Sequence, residues 1–293
     1  MIFETLSTEL DDGVLVVRFN RPEHLNAYTV EMANELVRLF EWASENDDVG
    51  AIVVTGEGKA FCAGMDLSAD GNVFGIDEDK PLDMAYMRDR LGPLAHRDRL
   101  RDDGGRVTLS IFNCKKPVIA AINGAAVGIG ATMTLAMDVR MASTRARIGF
   151  VFGRLGIVPE ACSTWFLPRL VGMQQALEWV LTADVFDAEE GLRGGLLRSV
   201  HAPEDLLDEA KALARRFCRD RSPVAVALAR QMMWRNSAQR HPIEAHRVDS
   251  LAMYHTSKND GKEGVAAFLE KRVPRFTGKA SQMPPFYPWE QDQ

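Results

Sequence analysis

The sequence predicts an α/β fold that gives way to helices near its end. Three observations carry this expectation. Short apolar runs rich in β-branched residues alternate with segments of helical periodicity through the first half of the chain. Two glycine-containing segments stand where a strand turns into a helix, and from about Pro203 the strand-like runs cease.

Taken in order, Val14-Leu15-Val16-Val17-Arg18-Phe19 and Gly50-Ala51-Ile52-Val53-Val54-Thr55 read as buried strands. Between them Ala33, Leu36, Val37, Phe40 and Ala43 recur at helical spacing, which makes a β-α-β unit. The middle repeats this logic. Pro117 to Ile122 is a strand, Ile129 to Met137 a buried helix, and Val139 to Ala142 a returning strand. Further on, Ser222-Pro223 is an N-cap with proline at the first helical position. Helices are expected at roughly 224–235, 241–257 and 262–273. The division is a core over residues 1–202 and a helical C-terminal region with a tail over 203–293. No internal repeat is visible. Residues 70–107 carry mixed charge with scattered Leu and Met, and read either as a substrate lid or as a solvated surface helix and loop.

Composition excludes several function classes. With 35 basic against 41 acidic residues the net charge is −6, without the basic footprint of a nucleic-acid binder. No apolar run is long enough for a membrane span, and Met1-Ile2-Phe3-Glu4 opens no secretory signal, so a cytoplasmic location is expected. Cys62, Cys114, Cys162 and Cys218 form no C-x-x-C pair and are expected to be buried free thiols. There is no G-x-S-x-G, H-E-x-x-H or Walker A sequence, and the six histidines show no metal-ligand pairing. Gly124, Gly128 and Gly130 are spaced G-x-x-x-G-x-G, not as a dinucleotide loop. No metal and no permanently bound cofactor are expected.

The chemistry lies in two strand-to-helix turns. One is Gly58-Lys59-Ala60-Phe61-Cys62-Ala63-Gly64-Met65-Asp66-Leu67; the other runs from Lys116-Pro117-Val118 through Asn123-Gly124 to Gly128-Ile129-Gly130. Such turns leave the first helical N–H groups without internal partners, at the positive end of the helix dipole. Two of them facing one another can hold a developing oxyanion.

With Asn20-Arg21-Pro22-Glu23-His24-Leu25-Asn26-Ala27, Leu181-Thr182-Ala183-Asp184 and Glu263-Gly264-Val265-Ala266-Ala267-Phe268-Leu269-Glu270-Lys271-Arg272, these segments resemble the crotonase (enoyl-CoA hydratase/isomerase) superfamily. The resemblance runs from about residue 13 to 276 in family order. It implies a spiral of β-β-α units, a helical C-terminal trimerisation region, and assembly into a homotrimer or a dimer of trimers. It also implies a coenzyme A thioester as substrate, bound near Leu25, Ala27, Ala63 and Met65, with Phe268 and Lys271 contributed by the C-terminal helix. The oxyanion donors it implies are the N–H groups of Met65 and Ile129. Isoleucine stands where many members have glycine, but its backbone still donates. Ser68 replaces a lysine that some relatives carry, and Asp66 reads as a loop carboxylate.

The acids decide the reaction. The two glutamates of the family's hydratases fall on Thr132 and Phe152, neither of which is a general base. Ile157-Val158-Pro159-Glu160-Ala161-Cys162-Ser163-Thr164 is similar instead to the P-E-G/A-C-S-S segment of peroxisomal-type Δ3,Δ2-enoyl-CoA isomerases. There the glutamate is a single proton shuttle, which makes Glu160 the expected catalytic base. Phe150, Phe152 and Trp165 are expected to surround it and raise its pKa. Asp138 reads as a turn-tying carboxylate and Asp184 as a structural residue near the rim. Two alternatives stay open: a hydratase or other thioester lyase or hydrolase, and a crotonase-fold binding protein without catalysis.

Overall fold

The chain begins with a hairpin that the sequence reading passed over. Strands β1 (Leu6–Asp11) and β2 (Val14–Phe19) pair antiparallel, with Asp11 opposite Val14. Asp12 and Gly13 between them hold φ of 48° and 75°. Positive φ at both central positions is what a two-residue hairpin turn requires, and Asp-Gly accommodates it well. The computed structural model describes residues 2–68, 72–73, 83–85, 87 and 102–289.

Two sheets are wound together. The larger adds β3 (Ala51–Gly56), β5 (Val118–Ile122), β7 (Val139–Ser143) and β10 (Ser199–His201), in the order β1-β2-β3-β5-β7-β10. All its pairs after the hairpin are parallel. The smaller holds β4 (Ala60–Cys62), β6 (Ala125–Val127), β8 (Arg147–Gly149) and β9 (Val185–Asp187), in that order. Each of β3, β5 and β7 passes within a few residues into β4, β6 or β8. This is the β-β-α winding implied by the resemblance, and these short second strands were not predicted from periodicity.

The large sheet is covered on both faces, which explains its uninterrupted apolar strands. Leu15, Val17, Ile52, Val54, Val118 and Ala120 belong to the main core under α1 (Val30–Glu45) and α2 (Asp103–Asn113). Val14, Val16, Ala51, Val53, Ile119 and Ala121, on the opposite face, meet Leu206, Ala210, Leu213 and Ala214 of α7 (Leu206–Cys218). The expected division at residue 203 therefore falls just before a helix that packs on the sheet. Beyond it come α8 (Pro223–Asn236), α9 (Pro242–Lys258) and α10 (Asp260–Glu270).

Ser222 caps α8 by accepting from Ala225 N–H at 3.2 Å. Asp138 fastens α8 to the sheet. Its Oδ2 accepts from Val118 N–H at 2.7 Å and Arg230 Nε at 2.8 Å, and its Oδ1 from Trp234 Nε1 at 2.7 Å. Among the described residues no helix is long and apolar enough to cross a membrane.

Several boundaries differ from expectation. The helix read over Ile129–Met137 is α-helical only over α3 (Ile129–Thr132) and continues as a 3-10 turn to Ala136. The buried Arg140 of β7 donates to Thr134 O and Met137 O, holding the chain as it turns into the strand. The last helix stops at Glu270 because Lys271 adopts a left-handed conformation, φ 55°. Helix α4 (Ser163–Val171) begins three residues after Glu160 and contains Pro168, whereas α5 (Met173–Thr182) and α6 (Ala188–Arg193) were not anticipated. Of the charged segment 70–107, most lies outside the described residues; Asp102 onward begins α2. Cys62 and Cys114 are buried free thiols, whereas Cys162 and Cys218 are only partly covered.

Candidate active site

The two glycine turns come side by side. After β4 the chain makes one parallel bridge, in which Tyr28 N–H donates to Gly64 O and Asp66 N–H donates to Tyr28 O, both at 2.8 Å. That pattern engages the neighbours of Met65 and leaves the Met65 N–H directed away from the bridge. After β6, Gly128 (φ 55°, ψ −123°) enters α3 without a side-chain cap, so Ile129 N–H is a first-turn donor. Among the described residues neither N–H has a hydrogen-bond partner. Gly130 is what lets the turns meet: a Cβ there would lie 2.1 Å from Cys62 O.

Met65 and Ile129 line one cavity of about 230 Å³, together with Tyr28, Phe152, Asp102 and Glu160. A larger cleft, about 760 Å³, lies between α4 and α8. It is lined by neither Met65 nor Ile129, and its Asp138 and Arg230 are satisfied by each other, by Trp234 and by backbone. Volume alone does not locate the chemistry.

Glu160 reaches this cavity from a sharp bend. It precedes two residues in left-handed conformation, Ala161 (φ 56°) and Cys162 (φ 54°), and so stands ahead of α4, not in its first turn. Ser163 N–H and Oγ both donate to Glu160 O, at 3.0 and 2.6 Å. At the carboxyl, Thr132 Oγ1 lies 2.6 Å from Oε1. The same hydroxyl is 3.3 Å from Gly128 O. It can therefore donate to an ionised Glu160, or accept from a neutral one while donating to the carbonyl. Burial pushes the Glu160 carboxyl up to about 8; Thr132 opposes this and the neighbouring Asp102 adds to it.

Of the expected aromatic cage only Phe152 lines the cavity. Phe150 stacks on Trp179 at 6.3 Å, and Trp165 packs edge-on against Phe112 and Phe166. The remaining apolar wall near Glu160 includes Val151 and Ile157, both half-buried, and the exposed Leu155.

The expected coenzyme A residues separate into two places. Ala63 N–H donates to Leu25 O at 3.1 Å, which brings Leu25, Ala27, Ala63 and Met65 to one rim. Asn26, fully buried, holds that rim by donating to Glu57 O and Ala60 O. Asp66 accepts from Arg21 at 2.9 Å and from Ser68, which hold it down to about 2 as a structural carboxylate. Phe268 and Lys271 do not line the cavity; Phe268, on α10, is 81% exposed. Asp184 pairs with Arg154 at the surface.

Sequence reasoning missed Asp102, Gly104 and Tyr28. Asp102 caps α2, and Gly104 sits where any Cβ would lie 1.9 Å from Glu160 Oε2. Asp102-Asp103-Gly104-Gly105 is legible as a helix start, but it was absorbed into the charged stretch before it. Among the described residues the buried Tyr28 hydroxyl has no hydrogen-bond partner, and burial raises its pKa well above 10.

Two sheets wound in β-β-α turns, with paired backbone donors beside a buried carboxyl, define the crotonase class of proteins. The enoyl-CoA hydratase/isomerase family matches residues 9–81 and 82–279, and the chain belongs to that family. It is 40% identical over 267 residues to an enoyl-CoA hydratase of Alternaria alternata, covering 90% of this chain and 83% of that one. It is 32% identical over 281 residues to the 1,2-epoxyphenylacetyl-CoA isomerase of Escherichia coli K12, covering 95% and 100%. Among solved structures, an enoyl-CoA hydratase from Bacillus anthracis superposes with a TM-score of 0.81 at 27% identity, covering 94% and 100%.

Proposed function

We propose that this enzyme binds an enoyl-CoA thioester, holds its carbonyl oxygen with the N–H groups of Met65 and Ile129, and moves a proton with Glu160. The reaction supported best is the shift of a C3 double bond to C2. Ionised Glu160 takes a proton from C2, electrons move into the thioester carbonyl, and the two N–H groups stabilise the dienolate oxygen. The same proton returns at C4, the C2–C3 double bond forms, and Glu160 is ionised again. The observation that carries this reading is Glu160, raised to about 8 and, among the described residues, the one glutamate lining the cavity that holds both N–H donors. Threonine and phenylalanine stand at the positions that hydration would use.

Hydration is the second reading, and one observation favours it: Asp102 brings a second carboxyl to Glu160. Relatives of this chain also carry the hydratase name. Coenzyme A would lie along the Leu25, Ala27, Ala63 and Met65 rim. Phe268 and Lys271 would serve from the helical region, and a homotrimer or dimer of trimers is the proposed assembly.

The test supplies 3-enoyl-CoA and 2-enoyl-CoA separately and follows conjugation and hydration spectrally, for the parent and for Glu160→Gln. Conjugation abolished by Glu160→Gln, with slow or absent hydration, is expected. Turnover of 3-enoyl-CoA by Glu160→Gln within tenfold of the parent, about 1.4 kcal/mol in barrier, removes Glu160 from the mechanism.

A further inference from the structure

We propose that Asp102 is a positioning residue for Glu160, holding the second oxygen of that carboxyl as Thr132 holds the first. This rests on the reading of Glu160 as the proton carrier and adds a residue that the family resemblance did not supply.

Three features of the geometry converge. Asp102 is the N-cap of α2, and its Oδ1 accepts from Gly105 N–H and, at 3.0 Å, from Ala161 N–H. One atom thus ties the start of α2 to the residue following Glu160. Gly104, two positions on, leaves the space that Glu160 Oε2 occupies; a side chain there would stand 1.9 Å from it. The Asp102 and Glu160 carboxyls line the same cavity, and Asp102 acts on Glu160 as a neighbouring acid that favours its neutral form.

Two carboxyls that share a cavity favour keeping one proton between them. Asp102 already accepts two backbone N–H groups through Oδ1, and that proton falls to Glu160, whose burial favours its neutral form. The other groups around Glu160 do not compete. Asp103, next on α2, is paired with Arg106 at 2.6 Å. Tyr28 and Cys62 remain neutral, the first raised well above 10 and the second to about 12 by burial. Thr132, from α3, carries no charge. Burial is the first cause that keeps the proton on Glu160 near neutrality, and among the described residues Asp102 is the charged neighbour that adds to it. The carboxylate that takes a proton from substrate becomes populated as pH rises towards 8.

Asp102→Asn reverses this contact with little change of shape. The amide oxygen still accepts both N–H groups, and asparagine caps a helix as well as aspartate does. Its NH₂ then faces Glu160 as a donor and favours the ionised form.

The experiment measures kcat/KM for 3-enoyl-CoA against pH in the parent, Asp102→Asn and Glu160→Gln. Beside it, infrared spectroscopy titrates the neutral-carboxyl band of the substrate-free proteins that Glu160→Gln removes. In the parent both midpoints should fall near 8. In Asp102→Asn both should move down by about one unit or more, with the melting temperature little changed. A helix cap with no hold on Glu160 would leave them in place. A folded Asp102→Asn whose midpoints stay within about 0.3 unit of the parent overturns the proposal. If Asp102→Asn does not fold, Asp102→Ser, another good cap without charge, must show the same downward shift or the proposal falls. Normal turnover by Glu160→Gln would sink the catalytic reading of Glu160, while the infrared titration would still judge Asp102.

Discussion

Gly104→Ala tests whether turnover depends on where the Glu160 carboxyl sits. The substitution should be harmless to the helix. Gly104 lies in the first turn of α2, and alanine there favours the helix by up to about 1 kcal/mol. Its Cβ, however, would lie 1.9 Å from Glu160 Oε2 and 2.5 Å from Ile129 Cδ1. Cβ contacts essentially never close below 3.0 Å, so the carboxyl oxygen must retreat by about 1.1 Å and the isoleucine methyl by about 0.5 Å. The methyl can turn away. The carboxyl is held on its other oxygen by Thr132 at 2.6 Å and at its backbone by Ser163. Glu160 should therefore swing out of register with the substrate carbon. A displacement near 1 Å typically lowers turnover about 10²-fold. A thermal melt run beside the 3-enoyl-CoA assay separates position from folding. Parent-like turnover in a folded Gly104→Ala protein would mean that the reacting group is not Glu160 as placed.

Three further expectations concern the same cavity. Ile129→Pro removes the N–H donor at a first-turn position that tolerates proline, and kcat should fall about 10²–10³-fold in a protein that still folds; Ile129→Gly keeps the donor and should widen the acyl space, so reversed outcomes would make the turn merely structural. Thr132→Val deletes the hydroxyl that lowers the Glu160 pKa, so the acid limb of the kcat/KM profile should move upward, opposite to Asp102→Asn, and an unmoved limb would deny the hydroxyl that part. Stability also reports on Glu160. Its folded value, about 8, exceeds the ordinary glutamate value of 4.5, so between those pH values the native state holds a proton that the unfolded chain has released. Parent stability should decline across that window relative to Glu160→Gln, by roughly 2–4 kcal/mol in chemical denaturation; a pH-independent difference would argue against a buried, raised carboxyl.

What could be read without coordinates was set by local rules. Continuous β-branched runs such as Val14–Val17 and Ala51–Val54 declare strands covered on both faces, because only such strands exclude polar residues from both sides. Ser222 signals a helix start and accepts the N–H bond expected of a cap; Thr29 caps α1 in the same way, unremarked in the sequence. The winding of the fold and the identity of Glu160, Met65 and Ile129 as candidates came from motif resemblance, since a glycine turn looks alike in many proteins until its order along the chain is matched. Periodicity could not reveal β4, β6 and β8, because three residues are too few to display a period. Nor could it place Phe150 and Trp165 away from the cavity, or end the last helix at Glu270. Those outcomes depend on which neighbours a side chain finds after the sheets close. Asp102 is the clearest case. It lies 58 positions before Glu160 in the chain and beside a stretch that reads as surface charge. Only the packing of α2 against the turn Met133–Ala136, with Gly104 sparing the space for a carboxyl oxygen, joins the two acids and adds to the hold that burial gives Glu160 on its proton.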